Sequence, residues 1–266
     1  MNYKTYFEDY TLSLTKLGTY FDFDCDQVFD NALKNIMEIV VPIEFNFAIS
    51  SVYSSNIEGN SMDLNSFFNY DIKSKKINHQ KKEIDHLIKA YSFAQKNKLN
   101  YKNFLEAHKI LSHSFLDSFQ RGKIRTNSVG VFGSVGLVYL ALEPQKVDTE
   151  LQNLFGEIEF LLNTNLSLTQ VFYYASFLHL RIAHIHPFAD GNGRIARLVE
   201  KWFLSSKLTQ HGRQYVDVAW KINSEKYYKE NQIAYYQNIS LGSNFYELDY
   251  TKAKPFLLML PNAVVL

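Results

Sequence analysis

The sequence predicts a mostly α-helical protein carrying one β-hairpin. Three observations predict it. Only 5 prolines and 11 glycines interrupt 266 residues, so helix breakers are few. Long amphipathic runs dominate, with apolar residues recurring at helical spacing. One segment departs from that pattern. Ser128–Ala141, SVGVFGSVGLVYLA, is β-branched and aromatic with glycines in its middle, which reads as a hairpin.

In chain order, helices are expected over Asn2–Leu17, Cys25–Val40, Pro42–Ile57, Leu64–Tyr70, Gln80–Asn97 and Tyr101–Ser114. After the hairpin come Lys146–Asn163, Thr169–His184, Gly193–Ser206 and Ser224–Asn238. Asp26 is a candidate cap for the second helix, and Thr169 for the long apolar one before His184. A two-stranded hairpin is marginal alone and must lean on the helices. Its edge can receive an extended peptide, although a plain surface hairpin explains the segment as well. Soft boundaries at KNKLN (Lys96–Asn100) and Leu241–Ser243 divide the chain into 1–98, 99–241 and an apolar tail, 242–266. That tail can cover the core or mediate a homo-oligomer; both stay open.

Composition narrows the function classes. A net charge of +1 gives no support for a direct nucleic-acid surface. The basic cluster Lys73–Lys82, KSKKINHQKK, reads as a solvated linker or helix start. Cys25 is the single cysteine, so an intrachain disulfide and a cysteine-based zinc site are both excluded. One thiol suits a reducing compartment. The N-terminus MNYKTYFEDY lacks an apolar signal region, and no run of about 18 apolar residues follows. The expectation is a cytoplasmic protein with no membrane partner.

The chemistry concentrates in HIHPFADGNGRIARLVE, His184 to Glu200. Pro187 ends a helix near His184. Gly191 and Gly193 permit unusual backbone angles. Arg194, Arg197 and Glu200 then recur at helical spacing, giving helix, tight loop, helix. Backbone N–H groups at such a helix start favour an anion. Arg194 and Arg197 share one face beside it, and arginine suits bidentate contact with phosphate oxygens. Asp190 at the lip could hold Mg²⁺ against those phosphates. His186 is then placed as a general base for a hydroxyl. A zinc site of His184, His186 and Asp190 is the rival reading, but it leaves two arginines opposing a cation. The plain alternative is a capped helix junction with satisfied core histidines, which suits His179 and His184 better than the whole set.

His186-Pro-Phe-Ala-Asp-Gly-Asn-Gly-Arg-Ile-Ala-Arg197 resembles the Fic motif, H-x-F-x-[DE]-G-N-G-R-x-x-R, with all eight constrained positions filled. The resemblance spans a helical core of roughly 100–239. Arg121-Gly-Lys-Ile-Arg125, Glu143-Pro144 and Val147 around the hairpin also resemble that family. It implies a Fic-type helical bundle with one β-hairpin flap. It implies transfer of AMP from ATP to a Ser, Thr or Tyr hydroxyl of a protein, the chain itself included, with release of pyrophosphate. His186 would be the catalytic base, and Asp190 would hold Mg²⁺. Gly191, Asn192 and Gly193 would cradle the phosphates, and Arg194 would reach the β and γ phosphates. Phe188 would anchor the loop. Val129, Gly130, Val131 and Phe132 would form the target-binding flap. Tyr227 would line the base pocket, but its usual partner eight residues on, an asparagine, is Tyr235 here.

A second segment, Ser54-Ser55-Asn56-Ile57-Glu58-Gly59-Asn60, is similar to the family's inhibitory motif, [ST]-x-x-x-E-[GN], in its N-terminal position. Ser54 and Glu58 are i, i+4 on a helix that Gly59 ends. A carboxylate at a helix C-terminus is disfavoured by the dipole and gains from a cation, for which Arg197 is the expected partner. The implied function is an autoinhibited protein adenylyltransferase. Two alternatives remain: a de-AMPylating enzyme of the same fold, and a non-catalytic ATP-sensing regulator.

Overall fold

The computed structural model describes residues 25–70, 79–133 and 136–265. The expected helix Asn2–Leu17 and most of the basic cluster lie outside the described residues. The chain is mostly helical. Before the hairpin come α1 (Cys25–Met37), α2 (Ile43–Ile57), α3 (Leu64–Phe68), α4 (His79–Lys96) and α5 (Tyr101–Leu111), the last running into a 3₁₀ turn at Ser112–Ser114. Strands β1 (Gly130–Gly133) and β2 (Gly136–Leu140) pair antiparallel, with a bulge between Val131 and Phe132. Then follow α6 (Pro144–Asn163), α7 (Leu168–Ile185), α8 (Asn192–His211), α9 (Val218–Lys221), α10 (Ser224–Glu230), α11 (Gln232–Ile239), α12 (Lys254–Leu257) and α13 (Met259–Val265).

Helices α7 and α8 form the centre, and the loop joining them is the motif. Nearly every residue of α7 is buried, which is why its sequence is apolar on all sides rather than striped. One apolar cluster runs from Phe29 through both central helices to Leu260. The tail contributes Phe256, Leu257, Met259 and Leu260 to it, so this segment covers the core. No described helix is long and apolar enough to cross a membrane.

Two cap expectations are corrected. Thr169 does not cap α7. Ser167 does, accepting from Gln170 N–H, while the Gln170 side chain accepts from Ser167 N–H in a capping box. Asp26 lies inside α1 and accepts from Thr169 N–H at 2.7 Å, so it serves the start of α7 instead. The helix expected over Ser224–Asn238 is two helices, broken at Asn231. The Asn231 side chain donates to the Tyr227 carbonyl, the competition with backbone bonding that makes asparagine a poor helix-interior residue.

Helix α2 packs between α4, α8 and α10. Lys201 of α8 fixes that arrangement. Its buried ammonium donates to Ser50 Oγ at 2.7 Å, to the Ile222 carbonyl at 2.8 Å and to Glu225 Oε2 at 2.7 Å. A buried charge is tolerable only when it is paired and hydrogen-bonded in this way.

Candidate active site

The chain leaves α7 at His186 with φ 51°, in the left-handed region. A non-glycine residue there needs its surroundings to hold it. Arg125, buried beside the hairpin, supplies the hold. Its Nε donates to the His186 carbonyl at 2.7 Å, its Nη1 to the Asn127 carbonyl at 2.9 Å, and its Nη2 to the Leu142 carbonyl. Its backbone N–H also donates to the Pro187 carbonyl at 3.0 Å. One arginine thus ties both feet of the hairpin to the loop.

The His186 ring has a defined proton position. Nδ1 lies 3.2 Å from the Ala183 carbonyl, and a carbonyl can only accept, so Nδ1 carries the hydrogen. The lone pair is therefore on Nε2. Burial pushes the His186 pKa below its ordinary value, with Arg125 adding to the shift. The ring is neutral at pH 7 and can take a proton.

The loop is held from inside. Phe188 is fully buried and stacks on the His108 ring with centroids 3.5 Å apart. His108 accepts from Gly122 N–H at Nδ1 (3.1 Å) and donates from Nε2 to the Asp190 carbonyl (2.9 Å). Burial lowers its pKa to about 4, so it stays neutral. Asn192 makes a two-point clasp, accepting from Phe188 N–H at 2.8 Å and donating to the Phe188 carbonyl at 2.9 Å. Gly191 has φ 83°, and a Cβ there would stand 3.1–3.2 Å from Phe115, His108 and Leu111. The first turn of α8 then offers backbone N–H groups with no intrahelical acceptor.

Around that helix start stand two buried arginines. Arg197 is fully satisfied. Its Nε donates to Ser54 Oγ at 2.8 Å, its Nη2 to the Ser54 carbonyl at 3.0 Å and to Glu58 Oε1 at 2.7 Å, and its Nη1 to Tyr235 Oη at 3.1 Å. Tyr235 donates onward to His179 Nε2, and His179 Nδ1 donates to Glu200. Arg194 stacks over Phe115 at 4.2 Å, with Glu83 Oε1 3.1 Å from its Nε and Asp190 Oδ1 3.9 Å from its Nη1.

Glu58 sits at the C-cap of α2, and Gly59 follows at φ 95°. Asn60 N–H bonds the Ser55 carbonyl and Gly59 N–H the Asn56 carbonyl, a complete Schellman ending. The carboxylate points at the start of α8. A Cβ on Gly193 would come within 2.3 Å of Glu58 Oε1. Burial alone would raise the Glu58 pKa, but Arg197 and then Arg194 outweigh it, and the net shift is downward. Glu58 is therefore an anion seated where the helix start and Arg197 converge.

The other expected residues fall as follows. Asp190 is the exposed lip, its side chain 55% accessible. A single carboxylate is enough for Mg²⁺ only when phosphate oxygens and water complete the shell, and Asp190 fits that role. Among the described residues no group of three or more His, Cys, Asp or Glu could hold a metal. His184 is unsuited to zinc because Tyr250 and the Ile239 carbonyl engage both its ring nitrogens. Phe132 on the flap is 73% exposed, and no described strand pairs with the outer edge of β1. Tyr227 is half-buried on α10, whereas Tyr235 is fully buried and accepts from Arg197. Sequence reasoning missed His108 and Glu83 as site residues, and it set Tyr235 at the base-pocket position where the structure bonds it to Arg197. The three come from separate helices, and no local pattern marks these contacts.

One loop brings together a partly buried histidine, a glycine-lined helix start and two arginines, an arrangement whose chemistry suits an anion. Residues 98–204 match the model of the Fic/DOC family. It is 35% identical over 111 residues to a protein adenylyltransferase Fic of Drosophila persimilis, covering 41% of this chain and 20% of that protein. The chain thus spans about a fifth of the length of the curated relatives it matches. A Fic family protein from Desulfovibrio desulfuricans G20 shares the fold, with TM-score 0.70 and 21% identity, over 91% of this chain and 73% of that one. So does a Fic domain containing signaling protein from Bacteroides thetaiotaomicron, with TM-score 0.67 and 17% identity, over 91% and 92%.

Proposed function

We propose that the chain is a protein adenylyltransferase held inactive by Glu58. The observation that carries this reading is the seat of the Glu58 carboxylate, bonded to Arg197 and lying against Gly193 at the start of α8. A carboxylate mimics a phosphate oxygen at a helix N-terminus. While it stays, a triphosphate cannot extend its end onto Arg197. The name shared by the adenylyltransferase relatives supports the same chemistry.

With the seat cleared, ATP would lay its phosphates along the Gly191–Gly193 turn, with Arg194 and Arg197 taking the β and γ charges. Mg²⁺ on Asp190 would neutralise phosphate charge. A target Ser, Thr or Tyr hydroxyl, in a segment aligned along β1, would give its proton to His186 Nε2. Its oxygen would bond to the α-phosphorus as the bond to pyrophosphate breaks. Tyr227 would border the base. The protein is its own nearest source of hydroxyls, and self-modification is part of the proposal.

The test is incorporation of label from α-labelled and, separately, γ-labelled ATP. Glu58→Gly should incorporate α label only, and Glu58→Gly/His186→Ala should incorporate neither. γ label in Glu58→Gly would mean a kinase-like reaction. Removal of AMP from a modified protein, with no incorporation, would favour a de-AMPylating enzyme.

A further inference from the structure

The second arginine of the site also faces a carboxylate. Glu83, on α4, places Oε1 3.1 Å from Arg194 Nε. Arg194 is only 8% exposed and Glu83 18%, so the pair is largely out of water. Its geometry differs from the Glu58–Arg197 pair. Neither Nε nor Nη1 of Arg194 has a hydrogen-bond partner among the described residues, and neither does Glu83 Oε1. The charges attract, but the donors are misdirected. Buried guanidinium donors left unmade are costly, so an anion able to meet them would displace Glu83. Arg197, whose nitrogens are all bonded, has no such incentive.

The two carboxylates are mechanically joined. Asn60, two residues after Glu58, donates to the Gln80 carbonyl at 3.0 Å and to Glu83 Oε2 at 3.3 Å. Its own carbonyl accepts from Asn56 at 2.8 Å. The turn that presents Glu58 thus also holds the side chain that faces Arg194.

We propose that Glu83 is a second, weaker brake on the phosphate clamp, competing with the terminal phosphates for Arg194. This inference rests on the phosphate-binding role given above to Arg194. Glu83 governs affinity for the β and γ phosphates, and Asn60 couples its release to movement of the Glu58 turn. Glu83→Gln alone leaves Arg197 occupied and gives little transfer. With Glu58→Gly it adds to the gain.

The experiment is calorimetric titration of wild type, Glu58→Gly, Glu83→Gln and the double variant with Mg²⁺-ATP, AMP and inorganic tripolyphosphate. In the Glu58→Gly background, Glu83→Gln should tighten ATP and tripolyphosphate about tenfold, a usual size for coupling between sites, and leave AMP unchanged. Glu83→Asp, which withdraws the carboxylate by one methylene, should fall between. Unchanged triphosphate affinity, or an equal gain for AMP, overturns the proposal. A lowered melting temperature with unchanged affinity assigns Glu83 a structural role only. If tripolyphosphate binds with the Glu83 effect while ATP binds no better, the brake stands and the adenylyl-donor reading fails. Binding of neither triphosphate to any variant overturns both.

Discussion

Arg197 donates to Ser54, Glu58 and Tyr235, and the last of these contacts extends through His179 to Glu200. Every member except Glu58, whose side chain is 27% exposed, is buried, so removing one of the buried groups leaves its neighbours unpaired. Tyr235→Phe should cost about 1–3 kcal/mol of stability, the usual penalty for an unmet buried polar group. Chemical denaturation checks this, and a change within error would show that water replaces the hydroxyl. The contiguous residues His186–Arg197 were legible in the sequence because spacing, glycines and charge all fall in one short stretch. The Glu58–Arg197 pairing was legible as a carboxylate at a glycine-stopped helix end that needs a cation. The contacts of His108, Glu83 and Tyr235 were not. Each approaches the loop from a different helix, and only packing brings them there.

Helix α2 is the element on which the proposed control depends. Its last carbonyls receive Lys229 at Asn56 and both Gln232 and Tyr236 at Ile57, so α10 and α11 hold the end that carries Glu58. Gly59 has open space around a would-be Cβ, so the only cost of a side chain there is its φ of 95°. Gly59→Ala should loosen this end by about 1–2 kcal/mol. Amide exchange across Ser54–Asn60 should quicken while α7 stays protected, and AMP transfer should rise above wild type. Unchanged exchange would place control of Glu58 elsewhere. At this scale the sequence predicted most helices from periodicity but misplaced their ends. Thr169 resembles a cap, but Ser167 completes the reciprocal bonds with Gln170, and the break at Asn231 depends on a side-chain bond that periodicity does not register.

Across the whole molecule, buried neutral histidines make stability depend on pH. His108 and His184 have pKa values pushed by burial to about 4 and about 3, below an ordinary 6.5. Below about pH 6.5 the unfolded chain takes up protons that the folded chain refuses, so stability falls with pH. It is fully present above 6.5 and is lost as pH drops towards 4. His108 alone is worth on the order of 3 kcal/mol over that window. Melting temperatures at pH 7 and pH 5 should show the loss, and His108→Gln should flatten it. An unchanged slope in that variant would exclude His108 as a source.

The most direct test of the central claim compares the initial rate of AMP incorporation, into the protein itself or an added protein mixture, for wild type and Glu58→Gly at saturating Mg²⁺-ATP. If the Glu58 carboxylate occupies the seat a phosphate needs, Glu58→Gly should be faster by at least about tenfold. Equal rates, with both proteins folded and binding ATP alike, would mean that the Glu58–Arg197 contact does not restrain the reaction.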